Sequence, residues 1–225
     1  MEEKWKETSN RYIAFLDIMG FSDLVYRNKH DYVKKKMEVF TKNLSKLEEV
    51  MKLGTEENPD TFRSIRKVIF SDSVLLITPD STKHSLTSLI VGCEIILANS
   101  FECEIPIKGA ISYGQITADF EKSLFFGKGL IDAYKLEEQL LFFGIAIDNK
   151  VDKKLRIFDI SDEVLLLRRK IPTKSGKIFH NIINWGNVIE GLFDNKTQLQ
   201  MLEKLYENMS GHPRLYLDNS IEIYS

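Results

Sequence analysis

Two apolar spacings alternate along residues 11–148, and this alternation restricts the fold more than any other feature of the chain. Arg11–Ile18 is an apolar run of strand-forming residues with Gly20 just beyond it, which predicts a central strand with a tight exit. From Asp31 to Leu53, the residues Val33, Met37, Phe40, Leu44, Leu47 and Met51 recur at steps of three and four, the period of one helix face. Gly54 and then Asn58-Pro59-Asp60 end that helix in a loop. Lys67–Phe70 and Val74–Ile77 flank Ser71-Asp72-Ser73, the pattern of a β-hairpin, and Thr78-Pro79-Asp80 makes a turn. Helical spacing returns over Ser81–Phe101, through Leu86, Leu89, Ile90, Cys93, Leu97 and Phe101. Ile105–Ala118 then reads as strand, Gly127–Leu141 as helix and Gly144–Asp148 as strand. Strand, helix, hairpin, helix, strand, helix, strand predicts an α+β domain of the ferredoxin-like kind, an antiparallel-rich sheet with helices on one face. Beyond Ser161 the pattern is less regular, with a helix predicted over Asn195–Met209 and a strand over Lys177–Trp185. No Gly/Ser/Pro linker separates this part, so residues 1–160 are expected to form the main domain and 161–225 a C-terminal α/β extension packed on it.

Composition removes several function classes. Lys and Arg number 31 against 33 Asp and Glu, a net charge of -2, so no global field draws in nucleic acid or an anionic membrane, and neither is expected as a partner. Met1-Glu2-Glu3-Lys4-Trp5 is too polar for a signal peptide, and apolar runs such as Leu140–Ile147 are too short to span a bilayer. Cys93 and Cys103 lack His or Cys neighbours at metal spacing and read as reduced core thiols, which fits a cytoplasmic protein. His30, His84, His180 and His212 form no cluster and are assigned no role.

Two acids stand out against this background. Asp17 closes the apolar run Phe15-Leu16-Asp17-Ile18, and Asp72 sits at the tip of an apolar hairpin. A lone carboxylate is costly at such places unless it has a partner. In the predicted strand order the first strand and the hairpin are neighbours, so their tips can bring the two carboxylates together. Such a pair repels itself, and a divalent cation removes the repulsion; a small all-oxygen donor set suits Mg²⁺ or Mn²⁺. Met19-Gly20-Phe21-Ser22 opens the next helix with free N–H groups suited to phosphates, and Gly20 allows close backbone approach.

At these residues the chain resembles a known family. Phe15-Leu-Asp17-Ile-Met-Gly20-Phe21-Ser22 resembles the first metal motif of class III nucleotidyl cyclases, and Phe70-Ser71-Asp72-Ser73 their second metal-bearing hairpin, with Ser71 in place of the usual Gly. Ile107–Gly114 resembles the Gly-rich strand that follows, and Phe126–Glu137 the helix that carries the family's Ala-x-Arg-Leu-Glu pattern. That helix ordinarily supplies an Asn for the ribose and an Arg for the transition state; Ile131 and Lys135 occupy those positions here. Base-reading positions of the purine cyclases also differ, Val68 standing four before Asp72 and Leu124 three before Gly127. With its Gly109-Ala-Ile-x-x-Gly114 and Ala133-Tyr-x-Leu-Glu137 signatures, the chain is more similar to the bacterial pyrimidine cyclases of the Pycsar anti-phage system.

The resemblance implies an enzyme that converts CTP or UTP to 3′,5′-cyclic CMP or cyclic UMP plus pyrophosphate. It implies two Mg²⁺ or Mn²⁺ ions held by Asp17, Asp72 and the backbone carbonyl of Ile18. It also implies a homodimer with composite sites, in which Lys135 acts from the second subunit. Gly20, Phe21, Ser22 and Lys67 are the expected nucleotide contacts, and a separate effector protein is expected to sense the product. Lys108 is read as a surface lysine at a strand edge, and Phe70 and Tyr113 as core aromatics. A conventional adenylate or guanylate cyclase, and a catalytically silent nucleotide-binding module, are the alternatives.

Overall fold

The computed structural model describes residues 5–57, 63–160, 166–186, 197–207, 209 and 211–225. The predicted loop at Asn58-Pro59-Asp60 lies outside these residues, as do Asn195 and Lys196 at the predicted start of the late helix.

The strand β1 (Thr8–Ile18) is followed by the helices α1 (Phe21–Arg27) and α2 (His30–Glu57). The hairpin β2 (Arg66–Phe70) and β3 (Ser73–Ile77), the helix α3 (Lys83–Glu102) and the strands β4 (Ile107–Asp119) and β5 (Leu124–Phe126) come next. Then follow α4 (Lys128–Gln139), β6 (Gly144–Ile147), α5 (Asn149–Phe158), β7 (Leu166–Thr173), β8 (Gly176–Ile183), α6 (Gln198–Lys204) and α7 (His212–Tyr224). One 8-stranded sheet runs in the order β2-β3-β1-β4-β6-β8-β7, with β5 on β4. Only the β4–β6 pairing among these is parallel. The hairpin and the first strand are thus neighbours, as predicted.

The helices are not confined to one face, and the reason lies in β1. Tyr12, Ala14, Leu16 and Ile18 bury against α3 and the rest of the main core, while Ile13 belongs to a second cluster with Leu75, Ile77 and Ile116. On this second face α4 crosses the sheet. Its Tyr134 ring meets Phe15 at 5.5 Å, and the Ser112 hydroxyl donates to the Gly129 carbonyl at 2.6 Å. Gly114 permits this approach, since a Cβ there would lie 2.9 Å from the Gly129 Cα. A strand apolar on both sides needs cover on both sides, so the expectation of helices on one face is corrected to helices on both.

α3 is long and apolar enough to cross a membrane by length and composition, but 72% of that window is buried inside the protein, against the sheet and α2. The C-terminal elements share the main core. β8 pairs with β6, Trp185 stacks on Phe101 with ring centroids 4.4 Å apart, and Leu202 and Leu217 are fully buried.

The turn between β2 and β3 spans Ser71 and Asp72, with Ser71 at φ 56, in the left-handed region that favours glycine. Ser71→Gly should therefore relieve about 1 kcal/mol of strain, less the entropy glycine adds to the unfolded chain. Thermal unfolding is expected to show a midpoint about 1–2 °C higher; a lower midpoint would mean that the turn carries no such strain.

Candidate active site

Asp17 and Asp72 meet at one end of the sheet. Asp17 pairs with Ser73 across β1–β3, and the Ile18 N–H donates to the Asp72 carbonyl at 2.8 Å, which clasps the hairpin turn to the end of β1. Asp17 points to the α4 side of the sheet, and Lys108 lies directly across from it on β4. The Lys108 ammonium is 2.8 Å from Glu137 Oε1 of α4, in a pair whose side chains are only 8% and 5% exposed. Burial pushes the Asp17 carboxyl up to about 6; the charges of Glu137 and Asp72 add to the rise, and Lys108 opposes it. Asp17 thus sits in a partly desolvated place beside two other carboxylates, with Lys108 as the nearby cation.

The donor set fits a hard divalent ion. Among the described residues no group of three or more His, Cys, Asp or Glu could hold a metal. The chain itself would therefore supply two carboxylates and the Ile18 carbonyl. A bound phosphate and water would have to complete the shell, which is the habit of Mg²⁺ rather than of a closed protein cage.

The phosphate-facing residues lie where β1 hands over to α1. Gly20 takes φ 73 as the residue before the helix, and its carbonyl accepts from the Leu24 N–H at 2.9 Å. Phe21 packs partly against the main core and Ser22 is exposed. A cavity of about 340 Å³ lies behind this handover, lined in part by Ile18, Gly20, Leu24 and Pro106, while neither Asp17 nor Asp72 lines it.

Two expected site residues are not brought to the carboxylates within one chain. Lys67 pairs with Leu76, whose side chain is in the main core, so Lys67 faces away from Asp17. Its ammonium donates to the Ser45 hydroxyl of α2 at 3.3 Å. Val68, next to it, packs in the second cluster and so lies on the Asp17 side. Lys135 is exposed on α4. It stands two residues from the inward-facing Glu137, about 200° around the helix, and so points away from Asp17.

Two readings of single residues are corrected. Lys108 is not a surface lysine at a strand edge: β4 is central and Lys108 is buried against Glu137. Phe70 is not in the core but 80% exposed, because it closes the hairpin beyond the reach of α4, on the same side of the sheet as Asp17. Tyr113 is partly buried beside Tyr12, with ring centroids 5.2 Å apart. The Lys108–Glu137 pair was the part of the site that sequence reasoning missed. A lysine within the apolar strand Ile105–Ile111 and a glutamate on the buried face of a helix were the available signals.

This sheet, with its clasped hairpin and its helices on both faces, has the architecture of the class III nucleotidyl cyclase domain. A bacterial light-regulated adenylyl cyclase superposes with a TM-score of 0.56 at 13% identity, covering 90% of this chain and 99% of that one. The guanylyl cyclase Cya2 gives 0.53 at 14%, covering 80% and 92%, and the adenylyl cyclase CyaB from P. aeruginosa gives 0.52 at 13%, covering 80% and 97%. No protein-family model and no curated protein sequence matches the chain. At these identities the likeness shows the fold.

Proposed function

We propose that the chain is a nucleotidyl cyclase that closes the ribose 3′-oxygen of a nucleoside triphosphate onto its own α-phosphorus and releases pyrophosphate. The observation that carries this reading is the Ile18–Asp72 backbone clasp, which sets Asp17 and Asp72 at one sheet end, with the Asp17 carboxyl partly buried and near the charge of Asp72. Asp17, Asp72 and the Ile18 carbonyl would hold two Mg²⁺ or Mn²⁺ ions. Bound there, the metal would make the 3′-hydroxyl more acidic and neutralise charge on the triphosphate. The N–H groups of Gly20, Phe21 and Ser22 meet the phosphates at the start of α1. Positioning and charge neutralisation account for the rest of the rate.

In this reading the active unit is a homodimer. Lys135 points away from its own Asp17, and Ile131 and Tyr134 of the same helix are 51% and 48% exposed, so α4 presents a partly apolar surface to a second copy. Lys135 then meets transition-state charge in the second copy's site. If so, Asp17→Ala and Lys135→Ala proteins should each be nearly inactive alone, and a mixture refolded together should regain activity through one intact composite site per mixed dimer. A mixture no more active than its components would return Lys135 to the surface.

The substrate we propose is a pyrimidine triphosphate, CTP or UTP. Val68 and Leu124 stand where purine cyclases place polar base-reading residues, which supports this choice. A purine cyclase is the second reading, and the adenylyl and guanylyl cyclases that share the fold support it. The product would be a second messenger read by a separate effector in anti-phage defence, with the enzyme in the cytoplasm. The test is an assay of ATP, GTP, CTP and UTP with Mn²⁺, with the products identified by mass spectrometry. Cyclic CMP or cyclic UMP as the main product is the expected result. Cyclic AMP or cyclic GMP would establish the second reading, and nucleotide binding without any cyclic product would establish a silent module.

A further inference from the structure

Glu137 has no part in the reaction as written, yet it is 4% exposed and spends its carboxylate on Lys108. Lys108 is directly opposite Asp17 in the β1–β4 ladder. Such pairs share a face of the sheet, with Cβ atoms about 4.5–5.5 Å apart. A flexible lysine stem in that position reaches a carboxylate on either side. With solvent partly excluded, Asp17 and Glu137 both attract the ammonium. The structure shows a choice between them. Lys108 Nζ lies 2.8 Å from Glu137 Oε1 and donates to the Glu137 backbone carbonyl at 3.3 Å. The Tyr216 ring of α7, centred 5.9 Å from Nζ, also faces it.

We infer that Glu137 is a positioning residue for the metal site: by holding Lys108 it keeps the ammonium off Asp17, so that the Asp17 carboxylate stays open to a divalent cation from the Asp72 side. This rests on the metal reading of Asp17 and Asp72. Without the negative charge of Glu137, Lys108 is a buried cation in want of a partner, and Asp17 is the carboxylate within reach. Lys108 then competes with the metal. Removing Lys108 and Glu137 together leaves no competitor, and replacing a buried ion pair by neutral side chains of similar volume is commonly tolerated.

The experiment is a Mn²⁺ titration of nucleotide-free protein, with free Mn²⁺ counted by electron paramagnetic resonance. Glu137→Gln is expected to weaken Mn²⁺ binding about tenfold or more, the usual size of an outer-sphere effect on metal affinity. The Lys108→Met/Glu137→Gln double variant is expected to return to near the wild-type value. Glu137→Gln binding as tightly as wild type overturns the inference, and so does a double variant as weak as the single one. Where Glu137→Gln does not fold, Glu137→Asp carries the same test. It is shorter by one methylene, reaches Lys108 less well, and is expected to weaken Mn²⁺ in the same direction. Asp17→Ala separates the two readings. If it binds Mn²⁺ as wild type does, the metal assignment itself fails, and the inference with it. If it loses Mn²⁺ while Glu137→Gln does not, only the inference fails.

Discussion

Asp17→Asn and Asp72→Asn are each expected to lower cyclic nucleotide production by about three orders of magnitude, the several kcal/mol of charge stabilisation that a bound metal supplies. Asp17→Asn is expected at the same time to make the metal-free protein more stable at pH 8. The sign follows from the Asp17 carboxyl, held at about 6 against an ordinary 3.8. An acid whose proton affinity rises on folding contributes stability that is full below 3.8 and is lost as pH climbs through about 6. Above that range the charged, partly buried carboxylate costs on the order of 1–3 kcal/mol. Asparagine carries no such charge, so its denaturation midpoint should lie a few degrees above wild type at pH 8 and approach it near pH 4. Mn²⁺ should reverse the ranking, because it stabilises only the protein that binds it. Opposite movements of activity and stability are the pattern of a residue kept for function at the expense of fold. Wild-type turnover in either variant would end the metal assignment.

The legibility of this site in the sequence was uneven for physical reasons. Asp17 and Asp72 were readable because each interrupts an apolar strand context in which a carboxylate is out of place. Lys108 and Glu137 each left a local signal, a charge in apolar surroundings, but their pairing is a fold contact between β4 and α4 that no local pattern encodes. The same holds for Lys67, whose face is decided by the pairing register of β2 with β3. Among the elements, long periodic segments were readable and short or polar ones were not. α5 has only Val151 and Leu155 buried among its apolar residues, and β7 carries Arg168, Arg169 and Lys170 on an edge strand of the sheet. α7 begins with Pro213 in its first turn, a position where proline is at home. The apolar run Tyr12–Ile18 is nearly unbroken, with Asp17 as its one charged residue. Burial on both faces of a strand removes the alternation of polar and apolar residues, and that continuity pointed to helices on both sides of the sheet.

Glu94 is expected to dominate the pH dependence of folding. It lies in the buried part of α3, 4% exposed, and its Oε1 is buried with no hydrogen-bond partner among the described residues. Burial pushes its carboxyl up to about 8 from an ordinary 4.5. The folded protein therefore holds this proton where the unfolded chain releases it. The associated stability is full below 4.5 and is lost as pH rises through about 8. Over that interval the ionisation of Glu94 should remove roughly 2–5 kcal/mol, the scale of burying a carboxylate's charge. Glu94→Gln keeps the shape and removes the titration. Its unfolding free energy, measured by chemical denaturation from pH 5 to pH 9, should stay level where wild type declines, so that the variant is the more stable protein at pH 9. Glu94→Met, which also removes the unpaired oxygen, should gain further at every pH, because an apolar side chain of similar volume suits the core. Asp17 lies at the far side of β1 from α3, so cyclase activity in these variants should follow the folded fraction. Parallel pH profiles for wild type and Glu94→Gln would show that Glu94 is ionised and solvated in the folded protein, contrary to its burial in α3.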